Sequence, residues 1–329
     1  MKIVGFICTF NEEGNIVPCI ESLKGVDEII VADGGSTDKT RELAKKAGAK
    51  VFIRDDRWKI INQDDIKDFT NKFGWEPSYK IGDKVIPGPE NLIRALSYIK
   101  DGWVLSLDAD ERLTWNEKEI RKLLDQADQI SCNYIFSHEK DGSPTWTMKL
   151  IKLYRKGTEK LIGNVHGTII PQGRQLFTDK MKIDHYPKWD GKRSWGSRKY
   201  VLPNLEYSVL RDDNSRNRFY LGREYYHYAR YKECINLIER YLDIADWWPE
   251  IAMAYLFKAK AYWYWKEGPL NRGDLSRAAC FKALEYNPDY TELLKFMGNG
   301  EVYFEPWATK WRTLAKGSKG TDVLFYIDK

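Results

Sequence analysis

The first 110 residues alternate between short apolar runs and helix-like segments, and this alternation constrains the fold more than any other feature. The strand-like runs cover residues 3–8, 28–32, 50–53 and 103–107, and the helix-like segments cover residues 16–23, 39–47 and 89–100. Strand–helix–strand units of this length favour a largely parallel sheet with right-handed crossovers. The sequence therefore predicts an α/β domain whose ligand crevice lies at the carboxyl ends of its strands.

Composition narrows the classes of protein to consider. The chain has 329 residues, of which 43% are hydrophobic, so it is long enough for two domains with separate cores. Its net charge of +5, from 53 basic and 48 acidic residues, does not indicate a nucleic-acid-binding protein. The five cysteines are scattered without a C-x-x-C pair. No run approaches the ~18 apolar residues of a membrane span, and the N-terminal apolar run is too short for a signal peptide. These features predict a cytoplasmic protein with free thiols.

A change in composition near residue 204 predicts a second domain. From there Tyr, Trp, Leu and Ala recur at helical spacing, and the stretches around Leu221-Gly222 and over residues 278–289 resemble tetratricopeptide repeats. We therefore expect an α/β domain over residues 1–203 and an all-α domain of about two helical hairpins over residues 204–329. Residues 54–88 are polar and aromatic and interrupt the first domain. Such a segment is typical of an inserted lid or acceptor loop, and equally of a surface insertion without a function.

Two acidic turns follow predicted strands and are the main candidates for a functional site. Asp108 and Asp110 come directly after an apolar run, and their i, i+2 spacing points both carboxylates the same way in an extended strand end. Such a pair can hold a divalent cation together with a diphosphate, although the same pattern also occurs in ordinary acidic turns. The second turn begins at Asp33, and the two glycines after it permit close backbone approach. Neither turn is a G-x-G-x-x-G or Walker motif, so hydride transfer and P-loop chemistry lose support.

Three blocks of sequence, taken together, resemble glycosyltransferase family 2, whose members have the GT-A fold. The blocks cover residues 3–13, 28–40 and 103–111, and the similarity continues more weakly to about residue 185. The resemblance implies a nucleotide-diphosphate sugar as donor, Mn²⁺ or Mg²⁺ as cofactor, and inversion at the anomeric carbon. It also implies roles for single residues: Thr9, Asn11 and Glu12 line the nucleoside site, Asp33 binds the base, Asp108 approaches the ribose or the metal, and Asp110 is the direct metal ligand.

Other parts of the site are marked less clearly in the sequence. His166 aligns with a Val-His-Glu segment of related sequences, which makes it a candidate metal or diphosphate ligand and equally a structural histidine. Gly167 stands where the relatives have the glutamate, so any role of that glutamate must be supplied elsewhere. An inverting transferase needs a general base for the acceptor hydroxyl. The candidate carboxylates are Asp141 and Glu111, followed by Glu139 and Asp184.

Residues 188–199 form the clearest basic patch, with five cations against one acid. Within it, Arg193 could clamp the donor diphosphate and Trp195 could stack on a sugar ring. The same segment would suit a polyanionic acceptor, including a nucleic acid, although such an acceptor is not favoured. A solvated linker between the two domains is the simplest interpretation.

The leading hypothesis is a metal-dependent glycosyltransferase that acts on a glycan, a lipid-linked saccharide, a peptide or a modified nucleobase. Its aromatic-rich helical domain would select the acceptor or mediate self-association. One alternative is a nucleotidyltransferase on a similar scaffold, but those enzymes typically have a basic Gly-rich loop where this chain has Asn11-Glu12-Glu13. Another is a non-catalytic protein that binds a partner through its helices, which Gly167 favours and the two intact acidic turns oppose.

Overall fold

The computed structural model describes residues 1–86, 90–138, 144–162, 168–170, 172–186, 193–299, 302 and 307–318. The chain forms two compact units. The first comprises Met1–Lys59 and Ile86–Ser194, and the second comprises Ile60–Val85 and Trp195–Tyr326. We call them the sheet unit and the helical unit.

The sheet unit is built around an eight-stranded mixed sheet. The strands of the chain are β1 (Ile3–Thr9), β2 (Glu28–Asp33), β3 (Lys50–Ile53), β4 (Lys59–Ile60), β5 (Lys84–Val85), β6 (Trp103–Asp108), β7 (Glu111–Trp115), β8 (Gln129–His138), β9 (Pro144–Arg155), β10 (Lys160–Ile162), β11 (Thr168–Ile170) and β12 (Gln175–His185). The main sheet has the order β3-β2-β1-β6-β9-β8-β12-β7, while β4 pairs with β5 and β10 with β11. The first four strands in this order, β3, β2, β1 and β6, are parallel to one another, and β8 is parallel to β12. The remaining pairs of the main sheet are antiparallel.

Helices flank this sheet and then continue alone to the end of the described chain. They are α1 (Ile16–Ser22), α2 (Thr40–Lys46), α3 (Gln63–Phe73), α4 (Glu90–Leu96), α5 (Glu117–Leu123), α6 (Arg193–Arg211), α7 (Ser215–His227), α8 (Tyr231–Leu242), α9 (Trp248–Tyr264), α10 (Arg272–Tyr286), α11 (Thr291–Met297) and α12 (Trp307–Gly317). The predicted fold class, a mostly parallel α/β sheet followed by an all-α region, is confirmed.

The apolar residues of β1 explain its central place in the sheet. The strand is buried along almost its whole length, as expected for a parallel strand covered on both faces. On one face Val4 and Phe6 pack into a core that also contains residues of β2, β6 and α4. On the other face α1 approaches closely, since a Cβ added at Gly5 would lie 2.9 Å from Leu23 Cδ1.

The register of the parallel strands aligns their carboxyl ends. Cys8 pairs with Asp108, Thr9 with Asp33, and Asp33 with Ile53. The predicted strand ends agree with the observed ones to within one residue. The residues that follow β1, β2, β3 and β6 therefore lie along one edge of the sheet, as the sequence predicted.

The helical unit contains antiparallel helix pairs. Helix α7 packs on α8, α9 packs on α8 and α10, and α11 packs on α12. A Cβ added at Gly222 would lie 2.8 Å from Ile238 Cδ1, so the Leu221-Gly222 pair marks a close crossing of α7 and α8. Helix α10 ends at Tyr286, just before Pro288, as the repeat-like pattern predicts. Among the described residues, no strand follows β12.

The segment Ile60–Val85 groups with the helices and not with the sheet. The backbone N–H and the hydroxyl of Ser78 donate to Glu206 Oε2 at 2.7 and 2.5 Å. Tyr225 Oη and Arg230 donate to Glu206 Oε1 at 2.9 and 3.2 Å, and Trp75 Nε1 donates to Tyr225 Oη at 3.0 Å. The division therefore differs from the predicted one, in which residues 54–88 are an insertion of the first domain and the boundary lies at residue 203. The physical reason is this buried network, which ties the segment to α6 and α7.

Two further features bear on the sequence predictions. All five cysteines lie in the described part of the chain, and all are free thiols. Within the same residues, no helix combines the length and apolar character that crossing a membrane requires.

Candidate functional site

A cleft of about 260 Å³ opens at the carboxyl edge of the main sheet. It is lined by Cys8, Thr9, Phe10, Glu12, Arg54, Asp108, Ala109 and Asp110. The lining residues belong to the last residues of β1 and β6 and to the turns after β1, β3 and β6, whose ends the strand register brings together. Four of the predicted site residues, Thr9, Glu12, Asp108 and Asp110, thus share one cleft.

The turn that carries the acidic pair is held in place from behind by Glu111. This glutamate is 1% exposed, and Lys152 of β9 donates to both of its carboxylate oxygens at 2.7 Å. Its Oε2 also accepts from the backbone N–H of Asp108 at 3.0 Å. Burial alone would lower the pKa of Lys152, but the Glu111 carboxylate outweighs burial and the pKa is raised. Lys152 therefore stays charged, and its contact with Glu111 fixes the backbone from which Asp108 projects.

Asp108 projects into the cleft and remains accessible to solvent. The protein around it raises its pKa to about 6, with burial as the largest cause and the charge of Glu111 as the second. The charge of Lys152 lowers the pKa of Asp108 and so works against that shift, while the nearby charge of Asp110 adds to it. Two carboxylates that disfavour each other's ionisation form a place where a cation is stabilising.

Asp110 lies beside His185, a residue that the sequence analysis did not select. The distance from His185 Nε2 to Asp110 Oδ2 is 3.4 Å, and His185 Nδ1 lies 3.2 Å from the carbonyl oxygen of Phe136. Burial lowers the pKa of His185, but Asp110 outweighs burial and the net shift is upward. The contact depends on the antiparallel register of β12 with β7, in which His185 faces Glu111. In the sequence His185 stands at the end of a stretch in which polar and apolar residues alternate. That pattern predicts a strand but does not show which strand lies next to it.

Asp184, the neighbour of His185, contacts two basic side chains, His138 and Lys182. Its Oδ1 lies 3.0 Å from His138 Nε2, and its Oδ2 lies 3.0 Å from Lys182 Nζ. Asp184 is buried, and these two contacts bind both oxygens of its carboxylate, so its burial does not require a ligand.

The carboxylate of Asp33 accepts hydrogen bonds from the turn that follows it. It is fully buried, and its Oδ1 accepts from the backbone N–H groups of Gly35 and Ser36 at 2.9 and 2.8 Å. The Ser36 hydroxyl donates to Oδ2, and Arg41 Nε lies 3.6 Å from Oδ1. The carboxylate thus shapes the turn after β2. A direct contact of Asp33 with a nucleobase remains a prediction from the family resemblance.

Asn11 joins the turns after β1 and β2. It has a positive φ of 54°, and its Oδ1 accepts from the backbone N–H of Thr37 at 2.8 Å. Its own N–H donates to Ser36 Oγ at 2.8 Å. Asparagine tolerates this left-handed conformation better than most residues, which is a local reason for its presence here. The role of Asn11 in this structure is therefore to hold the cleft wall.

The other predicted site residues lie beyond what the structure describes. Asp141 and His166 fall outside the described residues, as does Glu139. Arg193 and Trp195 are part of α6, but their side chains are not described.

The acidic pair fits a divalent cation that is also bound by a substrate. In the described part of the chain, no group of three His, Cys, Asp or Glu side chains is placed to hold a metal by itself. Mg²⁺ in proteins commonly takes one or two carboxylates and completes its shell with phosphate oxygens and water. Asp108 and Asp110 supply hard oxygen ligands of that kind in an accessible cleft.

Comparison with known proteins finds similarity to glycosyltransferases. Residues 6–65 match the family model described as glycosyl transferase family 2. An uncharacterized glycosyltransferase of Rickettsia typhi is 34% identical over 156 residues, which cover 47% of this chain and 40% of that protein. The lipopolysaccharide core biosynthesis glycosyltransferase LpsC of Rhizobium meliloti is 27% identical over 237 residues, which cover 67% of this chain and 76% of LpsC. A solved structure of glucosyl-3-phosphoglycerate synthase from Mycobacterium tuberculosis, with Mn²⁺, UDP and glucosyl-3-phosphoglycerate, covers 63% of this chain and 80% of that one. Its identity is 16% and its TM-score is 0.33.

The match to glycosyl transferase family 2 covers the part of the chain that contains most of β1 and all of β2 and β3. The chain spans about two fifths of the length of the Rickettsia typhi relative.

Proposed function

We propose that this protein transfers a sugar from a nucleotide-diphosphate sugar to an acceptor hydroxyl, with Mn²⁺ or Mg²⁺ as cofactor. The observation that carries the proposal is the cleft itself, in which Asp108 and Asp110 stand beside Thr9, Phe10 and Glu12 at the carboxyl edge of the sheet. The match of residues 6–65 to the model of glycosyl transferase family 2 supports the same reaction class.

The residues of the cleft have distinct tasks in this proposal. Asp110 and Asp108 would hold the cation, which when bound neutralises negative charge on the departing nucleoside diphosphate. Glu111 and Lys152 orient Asp108 through the backbone, and His185 orients Asp110. Such supporting contacts preserve the geometry that a ligand needs before it arrives.

The surroundings of Glu111 argue against it as the general base. Glu111 is enclosed by Lys152 and the backbone of Asp108, so it is poorly placed to take a proton from an acceptor. We therefore retain Asp141 as the proposed base, and inversion at the anomeric carbon as the proposed outcome. His166 as a further metal ligand, and Arg193 and Trp195 as donor contacts, are also retained as proposals.

We propose a saccharide hydroxyl, on a glycan or a lipid-linked saccharide, as the first acceptor to test. LpsC, which covers two thirds of this chain, is named for lipopolysaccharide core biosynthesis. In this proposal the helical unit, which includes the segment Ile60–Val85, selects the acceptor or mediates self-association. The five free thiols support a reducing compartment.

Calorimetry with UDP, GDP, CDP and ADP, each with and without Mn²⁺, tests the donor half of the proposal. We expect one diphosphate to bind only with Mn²⁺, and Asp110→Asn to abolish that binding. Asp125→Asn is the matched control, because Asp125 is an exposed aspartate of the sheet unit that does not line the cleft. If no diphosphate binds to the folded wild-type protein, the proposed reaction is wrong.

A further inference from the structure

Helix α12, the last described helix of the helical unit, exposes large apolar side chains. Trp307 and Leu314 are 57% and 45% exposed. Trp311 stands between them at spacings of four and three residues, so all three lie on one flank of the helix. The ring of Trp311 packs against Phe281 of α10, with 6.4 Å between the ring centroids, and Phe281 is itself 50% exposed. These four residues form an apolar surface, which we call the α12 strip.

The charge of α12 is entirely positive. The helix carries Lys310, Arg312 and Lys316 and no acidic residue. Lys310 Nζ lies 5.4 Å from the centroid of the Trp307 ring, so a cation stands at the edge of the α12 strip. Lys310 and Lys316 are both exposed. A partner that covers this helix must therefore offer negative charge together with an apolar region.

A cavity of about 350 Å³ with cationic walls lies between α11 and α12, and we call it the cationic cavity. Arg312 is fixed in its wall, because its guanidinium donates to the carbonyl oxygen of Gly298 at 2.9 Å and to Thr309 Oγ1 at 2.8 Å. Cations held in this way suit a phosphate group, whose oxygens accept several charge-assisted hydrogen bonds. None of the described residues that line the cavity is acidic; they are Lys295, Gly298, Asn299, Arg312, Ala315 and Lys316.

The α12 strip and the cationic cavity lie on different flanks of α12. At 3.6 residues per turn, Arg312 and Lys316 project roughly half a turn away from the strip. The flank between them bears Thr309, Lys310 and Thr313, all of which are exposed. A flat partner laid against this outer flank would reach the apolar strip on one side and the cationic cavity on the other.

An anionic bilayer has the shape and the chemistry that these flanks require. The aromatic and leucine side chains of a surface helix enter the boundary between headgroups and acyl chains, while its lysines and arginines meet anionic headgroups. A second copy docked about a two-fold axis would instead place the α12 cations against the same cations. A single-stranded nucleic acid would use the cations and Trp307, but it offers no apolar layer to Leu314 and Phe281.

We propose that α12, together with Phe281, binds the surface of a bilayer that contains anionic phospholipids. The inference goes beyond the proposed function and does not depend on it. An enzyme held at this surface would meet a lipid-linked acceptor where that lipid is confined.

Co-sedimentation of the full chain with vesicles tests the charged part of the proposal. We expect binding to mixed vesicles of phosphatidylcholine and phosphatidylglycerol, weaker binding to phosphatidylcholine alone, and a loss of affinity as salt is added. Replacing both Lys310→Gln and Lys316→Gln should weaken binding to the mixed vesicles about thirtyfold, since each cation near an anionic surface contributes about fivefold. The matched control is Lys45→Gln with Lys46→Gln, which removes the same charge from two exposed lysines of the sheet unit.

Trp307→Ala tests the apolar part. The change removes an exposed ring that would enter the bilayer, so we expect about tenfold weaker binding to the mixed vesicles. Trp58→Ala is the control, because Trp58 is a tryptophan of the sheet unit with a similar exposure of 49%. Circular dichroism should show the wild-type fold in all four variants, since every replaced side chain is exposed.

Three results would overturn the proposal. The first is no binding of the folded wild-type protein to either kind of vesicle. The second is vesicle binding that the α12 variants leave unchanged, or that the control variants weaken to the same degree. The third is a monomer–dimer equilibrium in sedimentation velocity, or binding of a single-stranded oligonucleotide, that Trp307→Ala abolishes while vesicle binding persists. That result would assign the α12 strip to a second copy or to a nucleic acid.

Discussion

Two buried glutamates, one in each unit, are surrounded by similar partners and serve different ends. In the sheet unit Glu111 binds Lys152 and the backbone N–H of Asp108. In the helical unit Glu206 accepts four hydrogen bonds, two from Ser78 and one each from Tyr225 and Arg230. Both carboxylates are almost completely buried.

The difference lies in what each network supports. The partners of Glu206 come from segments far apart in the sequence, and the network holds these segments together. Glu111 instead fixes the backbone that carries Asp108 and Asp110, and these side chains line a cleft with Thr9, whose hydroxyl has no hydrogen-bond partner among the residues that the structure describes. A buried charge therefore does not identify a functional site by itself. Accessible and incompletely bonded neighbours do.

The largest effect is expected at Asp110. Asp110→Ala should lower the rate of sugar transfer by about a thousandfold, equivalent to about 4 kcal/mol, because the cation that stabilises the leaving diphosphate loses its main ligand. The measurement is release of nucleoside diphosphate under single-turnover conditions. The midpoint of denaturant unfolding should stay close to that of the wild-type protein. Equal losses of stability and rate would show that Asp110 acts through the fold.

Glu206→Ala should give the opposite result. The change leaves Arg230 and Tyr225 facing a buried site without an acceptor, which we expect to lower the free energy of unfolding by about 3–4 kcal/mol. Denaturant titration followed by fluorescence measures this change. Binding of the preferred diphosphate to the folded fraction should be unaltered. Wild-type stability in this variant would contradict a cohesive role for the network.

The pH dependence of stability tests a third carboxyl group, Glu250 of α9. Burial raises the pKa of Glu250 to about 7, and the hydrogen bond from Tyr241 opposes the rise. Because the folded chain keeps a proton that the unfolded chain releases above pH 4.5, stability should fall as the pH rises from about 4.5 to 7. We expect this group to contribute on the order of 2 kcal/mol to the fall. Glu250→Gln, which does not titrate, should flatten the curve, whereas Glu267→Gln at an exposed position should not.

The smallest effect is expected at Glu111. Glu111→Gln keeps an oxygen that can accept from the backbone of Asp108 but removes the charge that faces Lys152. We expect about a tenfold loss of affinity for the preferred diphosphate with Mn²⁺, because the acidic turn becomes less well positioned. Calorimetry measures it, with Glu119→Gln as the control for an exposed glutamate paired to a lysine. An affinity equal to that of the wild-type protein would remove the supporting role of Glu111.

Much of the fold could be predicted from the sequence because it depends on local periodicity. Buried parallel strands such as β1 are continuous apolar runs, and helices such as α10 end before a proline. The assignment of Ile60–Val85 to the helical unit could not be predicted, because it depends on hydrogen bonds between residues more than a hundred positions apart, such as Ser78 and Glu206. Composition alone marked the segment as unusual without showing where it packs.

The candidate site divides in the same way. The sequence by itself determined the strand ends and the acidic turns at 33 and 108–110, because strand periodicity and turn chemistry are properties of adjacent residues. Only the tertiary structure decided that His185 lies beside Asp110, that Lys152 encloses Glu111, and that Arg54 enters the cleft over Gly34. Each of these contacts depends on strand order, strand register or close packing between elements. Those relations are fixed when the whole sheet assembles, so no short stretch of sequence contains them.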